Sequence, residues 1–308
     1  MSRAYIKPFP EQACIGIVGL SSAALDQAEV EQGIAHLNAN GFRTLNFYNH
    51  AQHFQRFAAT ETECLTQLYG ALEHPEVDLI LALRGGYGLS RLLHLLDYRK
   101  IAESGKLIAG YSDVTILQLA LFAKEGMPSL SGPCLINDFS RETLNTYTQD
   151  QWLHCLKTRS INVEFPTDCV DNLELEGPLW GGNLAACCHL LGTPFFPHIA
   201  HIEGGILFLE DVAEHPYRIE RMLLQLYHAG VLQKQKALVL GQFSAYRLAP
   251  HDQGYDFDEM VKYLRGILAI PIITGLPFGH VDEKACLMQG ALTKLTVKAN
   301  RVNLLAHF

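Results

Sequence analysis

Short apolar runs alternate with segments of helical periodicity through the first half of the chain. Such runs are typical of buried strands, and apolar residues spaced three and four apart are typical of amphipathic helices. The predicted strands cover residues 14–18, 41–45, 77–83 and 106–110, and the predicted helices cover residues 25–38, 89–96 and 114–124. Strand, turn and helix thus repeat three times, which predicts a doubly wound α/β domain whose parallel sheet has helices on both faces.

The pattern changes near the middle of the chain. Residues 137–177 are polar and irregular, which is typical of a domain boundary. Beyond them we predict a helix at residues 216–228 and short strands at residues 205–210, 237–243, 270–274 and 292–297. We therefore expect an N-terminal α/β domain at residues 1–140, a linker at residues 141–176 and a strand-rich mixed α/β domain at residues 177–308.

Composition and charge narrow the function classes. The chain has 308 residues, with 24 Lys and Arg against 32 Asp and Glu, so its formal net charge is −8. No block of clustered basic residues is available to neutralise a phosphate backbone, so we expect no nucleic-acid partner. No run of about 18 uncharged apolar residues occurs, so we expect no membrane partner.

Cysteine usage and the N-terminal sequence both indicate a reducing compartment. Eight cysteines are scattered without any C-x-x-C pair, which disfavours a zinc ribbon or a redox motif and favours free buried thiols. Residues 1–8 also lack the continuous apolar segment of a signal peptide.

A glycine-rich turn follows the predicted strand at residues 77–83. Gly85, Gly86 and Gly88 would let backbone N–H groups approach an anion closely. The spacing does not fit a dinucleotide-binding motif, because Arg91 stands where the third glycine is needed, and no G-x-x-x-x-G-K-[ST] motif occurs. The turn is therefore either a plain connection between strand and helix or a set of exposed N–H groups able to bind an oxyanion.

Ser112 lies between a predicted strand and a predicted helix, where its hydroxyl would be exposed at the end of the sheet. This arrangement resembles a nucleophile elbow in its mechanics, since the amide of Asp113 would face the same point as the hydroxyl. The segment is not a G-x-S-x-G motif, and the simpler interpretation is that Ser112 or Asp113 caps the following helix.

Two further candidate groups end predicted strands in the second half. Glu210 and Asp211 end an apolar strand, where a carboxylate either orients an imidazole or caps the next helix. His280 follows another strand, although a lone histidine is most often structural. Together the three strand ends carry a hydroxyl, a carboxylate and an imidazole in the chain order Ser, Glu, His, and this combination favours a catalytic triad.

Metal catalysis has weaker support in the sequence. The pairs His198 with His201 and His50 with His53 have ligand-like spacing, but neither is accompanied by a carboxylate motif of the H-E-x-x-H kind. We therefore expect no metal site.

Seven blocks of sequence run in one order along almost the whole chain. They are LRGGYG (83–88), GYSD (110–113), SGP (131–133), LWGGNL (179–184), LEDVAEHPYR (209–218), LGQF (240–243) and GLPFGH (275–280). In this order the blocks resemble the LD-carboxypeptidases of the serine peptidase class. Several independent blocks in family order are far more specific than any one of them.

The resemblance implies a serine peptidase in which Ser112 is the nucleophile, Glu210 the orienting acid and His280 the base. It also implies an oxyanion hole formed by the backbone amides of Gly86 and Asp113. Members of the family act in the cytoplasm, usually as dimers, and remove the terminal D-alanine from recycled cell-wall tetrapeptides. We therefore expect a cytoplasmic homodimer that acts on a murein peptide without a cofactor.

The chain departs from the family pattern at two places. Where the family tends to have F-A-G-T-x-x-E-R, Ala59 replaces the glycine and Cys64 the arginine. Where the family tends to have L-P-L-G, Met288 follows Leu287. These departures put loop geometry and substrate preference in question, but they leave the three triad positions intact.

Three residues are candidates for substrate binding. The leaving D-alanine carries a free carboxylate, for which Arg84 is the candidate cation. A related branch of the family cleaves aminoacyl-nucleotide antibiotics and confers self-immunity. In that alternative Tyr111 and Trp180 would stack a base, although packing in the core or the cleft wall is the ordinary role of such aromatics.

Two other function classes remain as alternatives. One is a non-catalytic module that binds a nucleotide or a muropeptide through the glycine turn alone. The other is a thiol hydrolase, for which no cysteine stands at the turns that carry glycine.

Overall fold

Two β-sheets organise the chain in the computed structural model, which describes residues 9–10 and 12–308. The strands, in chain order, are β1 (Cys14–Val18), β2 (Arg43–Asn46), β3 (Leu79–Ala82), β4 (Leu107–Gly110), β5 (Ser129–Ser131), β6 (Ser160–Pro166), β7 (Leu173–Asn183), β8 (Ile206–Val212), β9 (Ala237–Ser244), β10 (Ile272–Ile273), β11 (Leu287–Gln289), β12 (Leu292–Lys298) and β13 (Arg301–His307). The α-helices are α1 (Gln27–Ala39), α2 (Glu61–Glu73), α3 (Tyr98–Glu103), α4 (Val114–Glu125), α5 (Thr146–Thr158), α6 (Leu184–Leu190), α7 (Ile199–Ile202), α8 (Pro216–His228) and α9 (Phe257–Ile267). The expectation that residues 1–8 are not a signal peptide lies outside the described residues.

The first sheet has the strand order β11-β5-β4-β3-β1-β2. Its strands β1 to β5 pair in parallel, as the alternation of strand and helix predicts. The sixth strand, β11, comes from near the end of the chain and pairs antiparallel with β5. Because the carboxyl ends of β3 and β4 lie at the same edge, the turns that follow these two strands meet there.

The second sheet has the order β10-β9-β8-β7-β12-β13-β6. Strands β7 to β10 pair in parallel, whereas β12, β13 and β6 pair antiparallel with their neighbours. The parallel part is a buried apolar layer that includes Phe208 and Leu240. Helix α8 has the predicted bounds, and the fold class of two α/β units with a strand-rich second half is confirmed.

Helix α4 joins the two halves. It is buried at every position from Val114 to Phe122, which is typical of a helix covered on all sides. It packs against α3 and β5 of the first half and against α6 and β7 of the second. Ser112, which lies just before α4, is therefore at the junction between the two sheets. None of the helices in the described part of the chain is long and apolar enough to span a bilayer.

The helix predicted at residues 89–96 is wrong. Only Leu89–Arg91 forms a short 3-10 turn, and α3 begins later, capped by Asp97. The Leu89 amide donates a hydrogen bond to the Asp113 carboxylate at 3.0 Å, which fixes the start of the segment against the neighbouring turn. Four of the five leucines of this segment are buried and Leu95 is half exposed, so their spacing indicates burial rather than a regular helix.

The segment predicted as an irregular linker contains regular structure. Helix α5 begins at its cap Asn145, and β6 follows it as the edge strand of the second sheet. Strand β6 pairs with β13 and alternates buried and exposed side chains through most of its length, with Ile161, Val163 and Phe165 inside. A polar outer face of an edge strand explains why the sequence reads as irregular. The proposed domain boundaries stay a prediction.

Candidate active site

Ser112 lies in a tight turn between β4 and α4. Its backbone has a φ of +65°, a left-handed conformation that costs a residue with a side chain roughly 1–3 kcal/mol. The Thr115 amide donates a hydrogen bond to the Ser112 carbonyl at 2.9 Å and closes the turn. The strained turn directs the hydroxyl toward the second half of the chain, where it contacts His280.

The glycine turn after β3 lies so close to Ser112 that it has no room for a side chain. A Cβ atom at Gly85 would lie 2.7 Å from Ser112 Oγ and 3.3 Å from the Asp113 nitrogen. Gly86 has a φ of +116° and packs against Ser22. Among residues 9–10 and 12–308, neither the Gly86 nor the Asp113 amide has a hydrogen-bond acceptor. Both N–H groups are thus available to a ligand.

The side chain of Asp113 braces these two turns against each other. It is buried and accepts hydrogen bonds from the Ser21 hydroxyl at 2.6 Å and from the Leu89 amide at 3.0 Å. Burial raises the pKa of Asp113, and the hydrogen bonds to its carboxylate oppose that rise. The sequence predicts a helix cap or a backbone amide donor at Asp113. The structure shows in addition that the Asp113 carboxylate connects the segments of Ser21 and Leu89 by hydrogen bonds.

Ser112, His280 and Glu210 form one chain of hydrogen bonds. His280 Nε2 lies 2.9 Å from Ser112 Oγ, and His280 Nδ1 lies 2.8 Å from Glu210 Oε2. The Glu210 side chain is 0% exposed and that of His280 is 21% exposed. A carboxylate beside Nδ1 accepts the ring proton there, which leaves Nε2 free to accept the serine hydroxyl. The structure therefore brings together the three residues that the sequence singled out.

Glycines on two neighbouring segments make space around Glu210. A Cβ atom at Gly279 would lie 3.1 Å from Glu210 Oε2, and one at Gly241 would lie 2.5 Å from the Phe278 carbonyl oxygen. Gly279 also has a φ of +142°, which glycine adopts without strain. The absence of side chains at these positions lets the segment that carries His280 approach the carboxylate.

A second carboxylate, that of Asp211, lies beside Glu210. The Asn183 side-chain amide donates to Glu210 Oε1 at 3.2 Å and to Asp211 Oδ1 at 3.0 Å. The Ala185 and Val212 amides also donate to Asp211, each at 2.9 Å. Burial, followed by the charge of Glu210, raises the pKa of Asp211 to about 6.

Asn183 is a site residue that the sequence reasoning missed. It ends β7 within the LWGGNL block, and its own backbone amide donates to Thr115 Oγ1 at 3.1 Å. This contact links β7 to the first turn of α4. A polar residue that ends a long apolar strand is the signal that would have identified it.

Arg84 lines a cavity of about 380 Å³ beside the glycine turn. His50, His53 and Arg56 line the same cavity, and no acidic side chain of the described residues does. Arg84 Nη1 donates to the Ala23 carbonyl at 3.4 Å, and its Nε is buried without a hydrogen-bond partner among the described residues. The cavity therefore suits an anionic group.

Tyr111 supports the imidazole rather than offering an open surface. It is 5% exposed, and its ring centroid lies 5.0 Å from that of His280. Burial raises the pKa of the Tyr111 hydroxyl well above its ordinary value.

Trp180 requires a correction. It is 0% exposed, and its indole N–H donates to Gln235 Oε1 at 2.8 Å. Because the whole ring lies in the core of the second sheet and packs against Phe196, it has no surface on which a base could stack. The expectation that Trp180 binds substrate is therefore wrong in this structure.

The exposed side of His280 faces a second cavity, of about 710 Å³, on the side of the second sheet. Gln242, Pro277, Phe165 and Glu283 contribute to its walls.

Within the described part of the chain, no three His, Cys, Asp or Glu side chains group as a metal-ion site.

The departures from the family pattern are all buried. The Cys64 thiol donates to the Ala59 carbonyl at 3.8 Å, and Met288 lies in β11 opposite Leu130. Their effect on substrate preference stays a prediction.

Comparisons with known proteins match both halves of the chain. Residues 15–132 match the model of the LD-carboxypeptidase N-terminal domain, and residues 176–295 match that of the LD-carboxypeptidase C-terminal domain. The crystal structure of muramoyltetrapeptide carboxypeptidase from Oxalobacter formigenes is 42% identical, with a TM-score of 0.91 over 96% of this chain and 99% of that one.

Two related proteins have names that describe different functions, one a carboxypeptidase and the other a self-immunity protein. The murein tetrapeptide carboxypeptidase of Pseudomonas aeruginosa is 30% identical over 74% of this chain and 75% of its own length. The microcin C7 self-immunity protein MccF of Escherichia coli is 26% identical over 75% of this chain and 74% of its own length.

Proposed function

This chain belongs to the LD-carboxypeptidase family, and from that premise we propose that it is a serine carboxypeptidase that releases the terminal D-alanine from murein tetrapeptides. The observation that carries the proposal is the chain of hydrogen bonds from Ser112 through His280 to Glu210. Three such groups in this order form the arrangement that activates a serine hydroxyl as a nucleophile.

The first half of the reaction forms an acyl-enzyme. Ser112 Oγ attacks the carbonyl carbon of the bond to D-alanine, and His280 Nε2 takes the hydroxyl proton. The oxyanion that develops is stabilised by the N–H groups of Gly86 and Asp113, which have no acceptor of their own within the described residues. The carbon–nitrogen bond then breaks, and His280 returns its proton to the amine of the departing D-alanine.

The second half of the reaction regenerates the serine. A water molecule attacks the ester on Ser112 while His280 accepts a proton from it. The tetrahedral intermediate collapses, the tripeptide leaves with a new carboxylate, and His280 returns the proton to Ser112 Oγ. Glu210 accepts the hydrogen bond from His280 Nδ1 and stabilises the imidazolium each time it forms.

The leaving group carries a carboxylate, and the cavity lined by Arg84 supports a site for it. Arg84 directly precedes Gly85, which lies against Ser112, and Ser22, which lies against Gly86, lines the same cavity. The buried Nε of Arg84 has an unused donor, and a carboxylate is the acceptor that a guanidinium pairs with best. Arg84 is thus the residue proposed to bind the D-alanine carboxylate.

The proposal extends to the pathway, the cellular compartment and the oligomeric state of the protein. A murein tetrapeptide substrate implies recycling of cell-wall peptides in the cytoplasm. Two copies of the chain form the proposed homodimer, which light scattering of the purified protein would measure directly.

Ser112→Ala tests the proposal. We expect the purified variant to lose D-alanine release from a tetrapeptide by about 10⁴-fold or more, because the nucleophile is gone. Ser129→Ala, which removes a buried hydroxyl from β5 in the same sheet, is the matched control and should keep the parental rate. Parental activity in Ser112→Ala would show the assignment to be wrong.

A second substrate separates the two branches of the family. The relation to the microcin C7 self-immunity protein motivates an assay with a peptidyl-nucleotide beside the tetrapeptide. The burial of Trp180 removes one aromatic surface for a base, which favours the peptide. We expect kcat/KM to be higher for the tetrapeptide, and the reverse order would favour the immunity function.

A further inference from the structure

Lys284 is a buried lysine close to His280 that the mechanism above does not use. It is 0% exposed, and an ammonium in such a place is stable only when its three N–H groups find acceptors. Lys284 Nζ donates to the carbonyl oxygens of Gly279 at 2.5 Å and of Val281 at 3.0 Å. These are the residues immediately before and after His280. The Asp138 carboxylate lies 3.5 Å away as the counter-charge.

The same ammonium also contacts the nucleophile's neighbour. Lys284 Nζ lies 4.1 Å from the centroid of the Tyr111 ring, within the range of a cation–π interaction. The Tyr111 ring lies 5.0 Å, between centroids, from the His280 ring. One buried charge therefore contacts the residue before Ser112 and the backbone on both sides of His280.

Other hydrogen bonds close the loop that holds Lys284 and His280. The Ala285 amide donates to the Pro277 carbonyl at 2.7 Å. The Thr148 hydroxyl donates to the Asp282 carbonyl at 2.8 Å and accepts from the Lys284 amide at 2.8 Å. These bonds hold the ends and the second half of the loop. At its centre the ammonium binds the carbonyls of Gly279 and Val281, and the Ser244 hydroxyl donates to the carbonyl of His280 at 3.2 Å.

We propose that Lys284 is a positioning residue whose ammonium holds the two carbonyls that flank His280 and thereby keeps the imidazole within hydrogen-bond distance of Ser112. The inference rests on the proposed function, because it takes His280 as the base. Without the ammonium, the Gly279 and Val281 carbonyls lose their buried donor, and the segment moves to recover one from water. A shift of about 1 Å at a reacting group costs on the order of 100-fold in rate.

Lys284→Met tests the proposal, because methionine keeps an unbranched side chain of similar length and removes the donors. We expect kcat for D-alanine release to fall about 100-fold with KM within about threefold of the parent. The rate at which a serine-reactive phosphonate labels Ser112 should fall in the same proportion. A role in folding alone would lower the melting temperature without changing either rate in the folded protein.

Lys106→Met is the matched control. Lys106 is also buried, and its Nζ donates to two backbone carbonyls, those of Ala71 and His74. It lies before β4, at the end of the strand opposite Ser112. We expect Lys106→Met to lose stability and keep kcat, when both variants are assayed well below their melting temperatures.

Lys284→Gln serves if Lys284→Met does not fold. The glutamine amide has two donors, but its side chain is one atom shorter than that of lysine and does not reach the carbonyls of both Gly279 and Val281. We therefore expect kcat to fall at least about tenfold. Parental kcat in whichever Lys284 variant folds would overturn the positioning role. If Ser112→Ala is inactive, parental kcat in the Lys284 variant rejects only the positioning role and not the peptidase function. If Ser112→Ala is active, the peptidase function is itself rejected.

Discussion

The two sides of the site are held in place by contacts of different kinds. The nucleophile side comprises residues 85–88 and 111–113, and the acid–base side comprises Glu210 and residues 277–285. Ser112 is held by its own left-handed backbone, by the helix that follows and by a glycine turn on the adjacent parallel strand. His280 is held by Glu210 from another strand, by Lys284 and, through Lys284, by Asp138. One side is set by local geometry, and the other is assembled from distant segments.

This difference has a physical consequence for substitution. Around Ser112 itself the critical interactions on the nucleophile side are steric and backbone-based, so added volume next to the serine is the damaging change. On the acid–base side they are hydrogen bonds to buried charges, so a lost charge or donor is the damaging change.

Glu210→Gln on the acid–base side should have the largest effect on rate. The amide is isosteric but presents an N–H or an uncharged oxygen to His280 Nδ1, so it neither fixes the tautomer nor stabilises the imidazolium. We expect kcat to fall about 10⁴-fold with little change in KM, measured as D-alanine release. A fall of less than tenfold would mean that Glu210 does not orient the base.

Gly85→Ala on the nucleophile side should have the next largest effect. The new methyl group would lie 2.7 Å from Ser112 Oγ, so the serine must shift away from His280. We expect kcat to fall about 100-fold or more. Gly266→Ala in α9, where nothing beyond the neighbouring helix backbone lies within 4 Å of the new Cβ, is the control and should keep full activity. Unchanged kcat in Gly85→Ala would contradict the close packing of the two turns.

Arg84→Met should weaken binding of the substrate rather than slow the chemical step. Loss of a charge-assisted hydrogen bond costs about 1.5–3 kcal/mol, so KM for the tetrapeptide should rise roughly 10- to 100-fold. The parent and the variant should differ far less on a substrate that ends in D-alaninamide, which lacks the carboxylate. Equal KM changes on both substrates would exclude Arg84 as the carboxylate site.

The pKa of Asp211, the neighbour of Glu210, makes the stability of the protein dependent on pH. This pKa is about 6 in the folded protein and about 3.9 in an unfolded chain, so the folded state binds more protons between these values. The free energy of unfolding therefore falls as pH rises from about 4 to about 6, by at most about 3 kcal/mol from this group.

Asp211→Asn should remove that dependence. Urea unfolding across the window should give a flatter pH profile for Asp211→Asn than for the parent, while Asp171→Asn at an exposed position should follow the parent. An unchanged profile in Asp211→Asn would mean that Asp211 does not titrate there.

Asp168→Asn should have the smallest effect, since it lies outside both sides. Arg265 donates to both Asp168 oxygens at 2.8 Å and lowers its pKa to about 2, but the pair is about half exposed. Its contribution is present above about pH 4 and is lost as pH falls toward 2. We expect at most about 1 kcal/mol of destabilisation at neutral pH, by urea unfolding, and parental kcat. A lower kcat would extend the site to this loop.

How well the sequence predicts each side follows from the same contrast. Ser112 could be found because it stands between an apolar strand and a helix, a local pattern. Glu210 and His280 could be found because each follows an apolar run, and Asn183 carries the same signal at the end of β7. The role of Lys284 could not be found, because it depends on Asp138 and Tyr111, which are remote in the chain. Trp180 was misassigned because a strand buried on both faces looks the same whether its aromatic faces the core or a cleft.

We propose that Ser112 is a nucleophile activated by the imidazole of His280, which comes from the other half of the chain. The most direct test is mass spectrometry of the protein after reaction with a serine-reactive phosphonate, beside the His280→Ala variant. We expect one adduct, located on Ser112, and a labelling rate reduced at least about 100-fold in His280→Ala. An adduct on another residue, or undiminished labelling without the imidazole, would contradict the proposal.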